Sequence, residues 1–351
     1  MFKDPVCGME VENERLSFEF EGRRYFFCSR GCLEKFRNSP KESLGKYIYD
    51  LLIIGAGPAG LTASIYASVL KIDTFLLTQD FGGQAVDSAG IKNYMGFDFI
   101  SGKELVNKFE QQFLREHYLA HRIDEAIGIK RQGEFFEIQA KETRKMLARA
   151  LIIATGMKRR ALGIPGEERL LRRGVFYNLV QDAALFKGAD VVVAGGGNSG
   201  VQVSIELKNL GCRVWLISKG KLIADAGDIE RLKSSGKVDI LEGFEVVEIR
   251  GEDKVECAVI QAADASVTKE IPCKGVFIEV GFLPNTEFCR DLVGLNEKGE
   301  IKIKPDCSTG AEGIFACGDV TDCFGKRIII ASGEGAKAAL SAKKYLLSRK
   351  K

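Results

Sequence analysis

The sequence is poor in proline, histidine and tryptophan, and its charges nearly cancel. Its 351 residues include 7 prolines, 2 histidines and 1 tryptophan, and the formal net charge is +3. Such a balance gives no electrostatic support for binding to nucleic acid or to a membrane surface, so we expect neither partner. With 45% hydrophobic and 28% charged residues, the composition is that of a globular protein and excludes the disordered and fibrous classes.

The sequence pattern also gives no indication of a targeting signal. No basic segment followed by an apolar stretch opens the chain, so we expect no secretory signal and a cytoplasmic location. The uncharged run at 51–70 contains GAGPAG at 55–60, which favours a strand, a turn and a buried helix over a membrane span. In a reducing cytoplasm the ten cysteines stay free, and clustered ones indicate metal or redox chemistry.

Glycine, in contrast, is abundant at 39 residues, and it marks a large duplication. Residues 48–70 and 189–210 each have an apolar run, a G-x-G-x-x-G turn and an apolar-periodic helix, and a second β-rich run follows each. In such a turn the first glycine allows a tight bend, the second lets a pyrophosphate approach and the third packs the helix on the strand. Two copies predict two dinucleotide-binding units, the alternative being one such unit and an unrelated glycine-rich turn.

Outside these units the pattern predicts a few further elements. The first 46 residues are predicted to contain one aromatic-rich strand at 18–27, a short helix after Cys32 and a linker at 39–46. Farther along, alternation predicts a hairpin at 128–140, and apolar runs predict strands at 150–156 and 313–320. A helix is predicted from about Ser332 to Leu347.

Several motifs in this order resemble the thioredoxin reductase group of two-dinucleotide flavoproteins. They are GAGPAG (55–60), FGGQ (81–84), ATGMKRRALGIPGE (154–167), GGGNSG (195–200), GFLPNTE (281–287), GIFACGDV (313–320) and IIIASGEGAKAALSA (328–342). Within that group the chain most resembles the flavoprotein subunit of alkyl hydroperoxide reductases, over about residues 47–351.

The resemblance implies an α/β fold with two Rossmann-like dinucleotide-binding domains of the three-layer ββα type. The FAD-binding domain is then discontinuous, at 47–157 and 280–351, and an NAD(P)-binding domain is inserted at 158–279. A small N-terminal α+β module with three cysteines occupies residues 1–45. The group also implies a homodimer.

The same resemblance assigns ligand-binding residues. Asp319 is expected to bind the ribityl chain of FAD, although a helix N-cap is the simpler structural role for it. The other residues expected around FAD are Gly55, Gly57, Pro58, Ala59, Gly60, Gln79, Gly83, Gln84, Asn93, Thr155, Gly156, Gly318, Arg327 and Ile328.

The second nucleotide is expected at Gly195, Gly196, Gly197, Asn198 and Ser199, with Ser218 and Lys219 at the position that selects the ribose. An acid normally binds the ribose hydroxyls about twenty residues after the first glycine. Gln79 replaces it in the first unit, and the second has none. Lys219 favours NADPH slightly over NADH, and loss of nucleotide binding stays open.

One departure from the group concerns its redox chemistry. Members carry a Cys-x-x-Cys pair before the second unit, whereas this chain has Asn178 and Gln181 at those positions and no C-x-x-C anywhere. Neither side chain can form a thiolate or a disulfide, so the usual relay is absent. Cys317 and Cys323 are the remaining candidates near the flavin, with core packing favoured for Cys317.

The N-terminal module is a second departure, because residues 4–36 resemble the YHS or TRASH-like metal-binding module. Cys7, Cys28 and Cys32 are the matching residues, and three thiolates suit Zn²⁺ or another soft ion. A fourth ligand would be Asp4 or water, and the alternative is that the cysteines only pack. His117 and His121 are spaced for one face of a helix, but no third ligand is evident and we interpret both as surface residues.

Together these features predict an FAD-dependent NAD(P)H oxidoreductase that passes electrons to a small-molecule or protein acceptor other than a dithiol. Two alternatives remain. One is a flavoprotein fed by ferredoxin or another partner, or a metal-linked redox sensor, without NAD(P)H turnover. The other is a disulfide reductase that uses single cysteines. Thioredoxin reductase activity itself is not expected.

Overall fold

The computed structural model describes residues 2–11, 15–20, 23–45, 47–88, 90–116, 119–142, 145–177, 183–234 and 236–349. The chain forms two compact units. Unit 1 consists of Met1–Met157 and Pro284–Lys351, and unit 2 consists of Lys158–Leu283. The chain therefore leaves unit 1 once and returns to it once. The domain predicted at 158–279 differs from unit 2 by four residues at its end.

The elements are numbered in chain order. The strands are β1 (Phe2–Lys3), β2 (Glu10–Val11), β3 (Ser17–Phe20), β4 (Arg23–Phe26), β5 (Ile48–Ala56), β6 (Thr74–Phe81), β7 (Leu119–Ile123), β8 (Ala126–Gln132), β9 (Phe135–Ala140), β10 (Met146–Ile153), β11 (Met157–Arg159), β12 (Val175–Phe176), β13 (Asp190–Ala194), β14 (Arg213–Ser218), β15 (Val238–Glu242), β16 (Phe244–Arg250), β17 (Cys257–Ala262), β18 (Thr268–Pro272), β19 (Gly275–Ile278), β20 (Phe282–Pro284) and β21 (Ile314–Ala316). The α-helices are α1 (Arg30–Asn38), α2 (Pro40–Gly45), α3 (Pro58–Val69), α4 (Gly102–Leu114), α5 (Asn198–Asn209), α6 (Ala226–Lys233) and α7 (Ile328–Ser348).

The N-terminal module consists of two small antiparallel pairs, β1–β2 and β3–β4, and of helices α1 and α2. The single strand predicted at 18–27 is wrong, because β3 and β4 are separate strands that pair with each other. Helix α1 begins before Cys32 rather than after it, since the Ser29 hydroxyl caps it by accepting a hydrogen bond from the Cys32 N–H. The predicted linker is largely helix α2, and Leu44 on it is buried.

Unit 1 is built on one sheet, in which strands follow the order β7-β6-β5-β10-β9-β8 and β21 also pairs with β10. Strands β5, β6, β7, β10 and β21 are parallel, whereas β8 and β9 form the predicted hairpin. Alternate residues of β5 enter two cores. Leu51 and Ile53 pack with α3 and α7, and Leu52 and Ile54 pack with the hairpin and the N-terminal module. A strand covered on both faces explains the continuous apolar run.

Unit 2 has a five-stranded parallel sheet in the order β12-β19-β13-β14-β15 and a three-stranded antiparallel sheet, β16-β17-β18. Strand β13 is almost entirely buried, and helix α5 follows it directly after the second glycine turn. The predicted strand, turn and helix frame therefore recurs in both units, and the two turns lie at the carboxyl ends of parallel strands.

Two local predictions are wrong. Helix α7 begins at Ile328 rather than near Ser332. His121 lies on strand β7, half-buried against the rings of Phe81 and Phe113, and not on a helix surface; His117 is outside the described residues. Within the described part of the chain, no helix combines the length and the apolar character needed to cross a membrane.

Candidate functional site

The first glycine turn joins β5 to helix α3. Gly57 is the N-cap of the helix and Pro58 is its first residue, so the first backbone N–H groups lack partners within the helix. A Cβ at Gly60 would overlap the carbonyl oxygen of Gly55, whereas a Cβ at Gly57 would meet nothing within 4 Å. The turn is thus closed on its inner side and open on its outer side, where an anion can approach the helix N-terminus.

Distant segments of unit 1 meet at this turn. Gly55 lies against the backbone of Ala154, and the Thr155 hydroxyl donates to the carbonyl oxygen of Asn285 at 2.8 Å. The Gln84 amide donates to the carbonyl oxygen of Met157. On the other side, glycines at 318 and 335 approach Ala59 on α3 so closely that a Cβ on either would press against it.

Asp319 follows β21 at the same edge of the sheet. It does not cap a helix, because α7 begins at Ile328 with Arg327 as its N-cap. Burial raises the pKa of the Asp319 carboxyl, and no described residue donates a hydrogen bond to it. A half-buried carboxyl without a protein partner suits a ligand with hydroxyl groups. Together with the open turn at Gly57, it fits FAD.

Sequence reasoning missed Glu334, which lies on α7 with only 3% of its surface exposed. One carboxylate oxygen accepts a hydrogen bond from the Gly318 N–H at 2.8 Å. The other oxygen is buried without a partner among the described residues. Glu334 therefore fixes the backbone next to Asp319. The sequence does contain a signal for Glu334, namely an acidic residue within the largely apolar stretch IIIASGEGAKAAL at 328–340.

The remaining residues predicted around the flavin have varied surroundings. Gln79 and Asn93 are exposed. Gly83 lies near Gly57, since a Cβ on it would be 3.6 Å from the Gly57 Cα atom. The Arg327 guanidinium donates to the carbonyl oxygen of Lys326 at 3.0 Å, and Ile328 is the first residue of α7.

The second glycine turn joins β13 to α5 in the same way. A Cβ at Gly200 would overlap the carbonyl oxygen of Gly195, and Gly197 is the N-cap of α5. A Cβ at Gly196 would collide with the Ser218 hydroxyl at the end of β14. Beyond Ser218, the Lys219 ammonium pairs with Glu245 at 2.9 Å on the surface.

Two residues next to this turn have side chains that contact other segments of unit 2. The Asn198 side chain accepts a hydrogen bond from the backbone N–H of Asp225 at 2.8 Å, which holds the loop before α6. Glu279, which no motif singled out, follows β19, and its carbonyl oxygen contacts Gly195 so closely that no Cβ fits there. The Glu279 carboxyl is 3.6 Å from the Arg159 guanidinium.

The two candidate cysteines are not activated. Cys317 is fully buried, and burial raises the pKa of its thiol well above the usual value. Burial, helped by Glu334, raises the pKa of Cys323 to about 11. Both thiols are therefore protonated at neutral pH and are poor nucleophiles. Asn178 and Gln181, which occupy the positions of the missing pair, lie outside the described residues.

The three N-terminal cysteines come together in the module. The Cys7 and Cys28 sulfurs are 3.5 Å apart, and those of Cys28 and Cys32 are 3.8 Å apart. With the Asp4 carboxylate, the four potential ligand atoms lie within 4.8 Å of one another. Asp4 accepts hydrogen bonds from the backbone N–H groups of Val6 and Cys28, both at 2.8 Å, so it also ties the two cysteine segments together.

The module packs against the end of the sheet away from the first turn. Lys3 pairs with Asp50 near the start of β5 at 2.6 Å. Asp73, just before β6, binds Arg23 and the Tyr47 hydroxyl, each at 2.5 Å. From Asp50 to the glycine turn, β5 runs for about 17 Å at roughly 3.3 Å per residue. The N-terminal module is thus anchored at the end of β5 opposite the first glycine turn.

Comparison with protein families supports both parts of this organisation. A family model described as pyridine nucleotide-disulphide oxidoreductase matches residues 49–339, and a model described as YHS domain matches residues 2–47. The resemblances predicted from the sequence are confirmed for the N-terminal module and for the rest of the chain.

Two curated relatives match most of this chain. In Pseudomonas aeruginosa, the F subunit of alkyl hydroperoxide reductase is 37% identical over 306 residues, which cover 85% of this chain and 58% of that protein. Its counterpart in Staphylococcus aureus is 39% identical over 314 residues, covering 87% of this chain and 61% of that protein. The chain thus spans about three fifths of the length of these curated relatives.

Solved structures show the same fold. Thioredoxin reductase of Lactococcus lactis superposes with a TM-score of 0.75 at 33% identity, covering 86% of this chain and 99% of that one. Thioredoxin reductase of T. acidophilum gives 0.72 at 32% identity, covering 84% and 98%. The predicted α/β fold class is confirmed.

Proposed function

The chain belongs to the pyridine nucleotide-disulphide oxidoreductase family, and we propose that it is an FAD-dependent oxidoreductase that uses NADH or NADPH and reduces an acceptor other than a dithiol. The pair of glycine turns is the observation that carries this proposal. In each turn the third glycine packs against the carbonyl oxygen of the first, and each turn lies at the carboxyl end of a parallel strand. Near the first turn, no described residue donates a hydrogen bond to the Asp319 carboxyl.

The residues of unit 1 hold and orient FAD in this proposal. The N–H groups at the start of α3 bind the pyrophosphate, and Asp319 accepts a hydrogen bond from a ribityl hydroxyl. Glu334 keeps the Gly318 backbone in place beside it. When bound, FAD supplies hydride acceptance from the nicotinamide and onward transfer of the electrons. The turn at Gly195–Gly200 binds the pyridine nucleotide.

The decisive experiment is anaerobic titration of the FAD-loaded protein with NADH and then with NADPH, following the visible absorbance of the flavin. We expect bleaching by at least one of the two nucleotides. If neither bleaches a flavin that dithionite does reduce, the proposal fails and a protein fed by another electron donor, or a sensor, takes its place.

The absence of a dithiol relay directs the choice of acceptor. Asn178 and Gln181 replace the cysteine pair, and the raised pKa values of Cys317 and Cys323 disfavour a relay through single cysteines. We expect turnover with a quinone but not with a small disulfide such as dithiobis(nitrobenzoate). Disulfide reduction that is lost in a Cys323→Ser variant would instead support the single-cysteine alternative.

A second function is proposed for the N-terminal module, namely binding of a soft metal ion by Cys7, Cys28 and Cys32. The clustering of the three sulfurs with Asp4 supports it. The Asp4 carboxylate, the largest contributor, and burial raise the pKa of Cys28, so metal binding must release protons from the thiols. Three thiolates favour Zn²⁺, Cu⁺ or similar ions.

Titration of the reduced full-length protein with Cd²⁺ tests this function through the ultraviolet absorbance of the sulfur–metal bonds. We expect one equivalent to bind, and a Cys28→Ser variant to lose the signal. Cys257→Ser is the matched control, because Cys257 lies on β17 in unit 2, in the other compact unit. An unchanged signal in Cys28→Ser would contradict the proposed ligand set.

A further inference from the structure

Glu279 lies where the parallel sheet of unit 2 ends. It directly follows β19, its N–H donates to the carbonyl oxygen of Ala194 at 2.7 Å, and its own carbonyl oxygen abuts Gly195. The backbone of Glu279 therefore forms part of the wall behind the second glycine turn. Ligands of open α/β sheets bind outside the carboxyl ends of the strands, which is this edge.

The Glu279 side chain is largely enclosed, and it makes no hydrogen bond with a described residue. Only 6% of it is exposed, and the nearest opposite charge, the Arg159 guanidinium, is 3.6 Å away, too far for a hydrogen bond. No described residue donates a hydrogen bond to the carboxyl. Burial raises its pKa to about 7 although Arg159 lowers it. A largely enclosed carboxyl to which no described residue donates can accept a hydrogen bond from a ligand.

The sheet order indicates which part of a dinucleotide reaches this carboxyl. Strand β13 lies between β14 and β19, so the strand order reverses there and a dinucleotide lies across the crevice. The pyrophosphate belongs over the N-terminus of α5, and the ribose-selecting position at Ser218 is on the β14 side. The other half of the dinucleotide must therefore extend over the end of β19.

We propose that Glu279 is a ligand-binding residue of the second site, where its carboxyl accepts hydrogen bonds from the nicotinamide-side nucleoside of NADH or NADPH. The proposal rests on the proposed function of that turn. The sheet order assigns this half. The acceptor character of Glu279 suits it, because ribose hydroxyls and the nicotinamide amide can donate to a carboxyl, whereas a phosphate can only accept.

Arg159 has a supporting part in this arrangement. Its guanidinium lies over the Phe282 ring at 5.3 Å from the ring centre, which limits its movement relative to Glu279. Because the guanidinium is close but does not bond the carboxyl, it offsets the negative charge and leaves the acceptor positions to the ligand. Substituting Glu279 thus removes an acceptor that Arg159 cannot replace.

The proposal is tested with a series of three ligands of increasing size. Their dissociation constants are measured by calorimetry on the FAD-saturated, full-length protein. ADP lacks the second nucleoside, ADP-ribose adds the ribose, and NADH adds the nicotinamide. The variants are Glu279→Ala and Glu279→Gln, and the matched control is Glu248→Gln, which affects an ion pair on β16 of the same unit. We expect Glu279→Ala to weaken NADH binding about tenfold and to leave ADP binding unchanged.

We expect a smaller loss for Glu279→Gln, because the amide oxygen still accepts a hydrogen bond. A loss that begins at ADP-ribose assigns the contact to the ribose, and one that begins at NADH assigns it to the nicotinamide; either supports the proposal. Equal losses for all three ligands, or none, overturn it while the site itself stands. If the wild-type protein binds none of the three, the proposed function and this inference fail together.

Discussion

The turn after β5 and the turn after β13 close in the same way, with a third glycine against the carbonyl oxygen of the first, yet their surroundings differ. Segments from 154–157, 284–285, 318–319 and 334–335 converge on the first turn. The second is flanked by the ends of β14 and β19, and beyond β14 the exposed Lys219 is paired with Glu245.

This difference agrees with the ligands that we propose for the two turns. A turn enclosed by four distant segments loses those contacts only when much of unit 1 rearranges, which suits a cofactor that stays bound. A turn flanked by two strand ends and a surface ion pair can exchange its ligand at each turnover. In the proposed function, the same backbone motif would therefore retain a cofactor in one unit and exchange a nucleotide in the other.

The largest effect should come from adding one methyl group to each turn. Gly60→Ala forces a Cβ into the Gly55 carbonyl and should give a colourless protein, because α3 can no longer approach β5. Gly200→Ala makes the equivalent overlap at Gly195 and should give a yellow protein that neither nucleotide reduces. Visible spectra and anaerobic titration measure both. A colourless Gly200→Ala protein would contradict the proposal that the first turn binds FAD and the second binds the pyridine nucleotide.

A smaller effect is expected at Glu334, which supports only the first turn. Glu334→Ala removes the acceptor for the Gly318 N–H and should weaken FAD binding about tenfold while leaving the affinity for ADP at the second turn unchanged. Equilibrium dialysis of flavin measures the loss. Glu312→Ala is the control, since Glu312 is 61% exposed in a surface pair with Arg349.

The ribose side of the second turn should respond more weakly. Lys219→Ala is expected to lower NADPH affinity about two- to fivefold and to leave NADH unaffected, because an exposed charge contributes only about 0.2–1 kcal/mol. Glu245→Gln should raise NADPH affinity by releasing Lys219 from its pair. Opposite shifts in the two variants, measured as dissociation constants, identify Lys219 as the 2′-phosphate contact, and parallel shifts would refute it.

The smallest effect should come from the N-terminal module. Removing metal with a chelator, or Cys28→Ser, should change the rate of flavin reduction less than twofold, because the module is anchored at the opposite end of β5. Stopped-flow absorbance with and without bound metal measures this rate. A large change would connect the metal ion to the chemistry at the first turn.

Sequence patterns predict the parts of this molecule that local chemistry determines. Both glycine turns could be found because their spacing is a requirement of the backbone itself. The polar segment after Pro40 has the composition of a linker, but it is helix α2, and its Leu44 side chain enters the core. Glu334 and Glu279 were missed because their importance lies in contacts with Gly318 and Arg159, far away in sequence.

The insertion of unit 2 has a consequence for synthesis of the chain. After Met157 the ribosome must make the 126 residues of unit 2 before unit 1 resumes at Pro284, which takes roughly 6–25 s at about 5–20 residues per second. During this delay β10 lacks β21, and the apolar side of α3 lacks α7. Unit 2 can fold in the meantime as a continuous segment. Nascent chains should therefore need protection of the first α/β segment, and premature termination before α7 should leave it aggregation-prone.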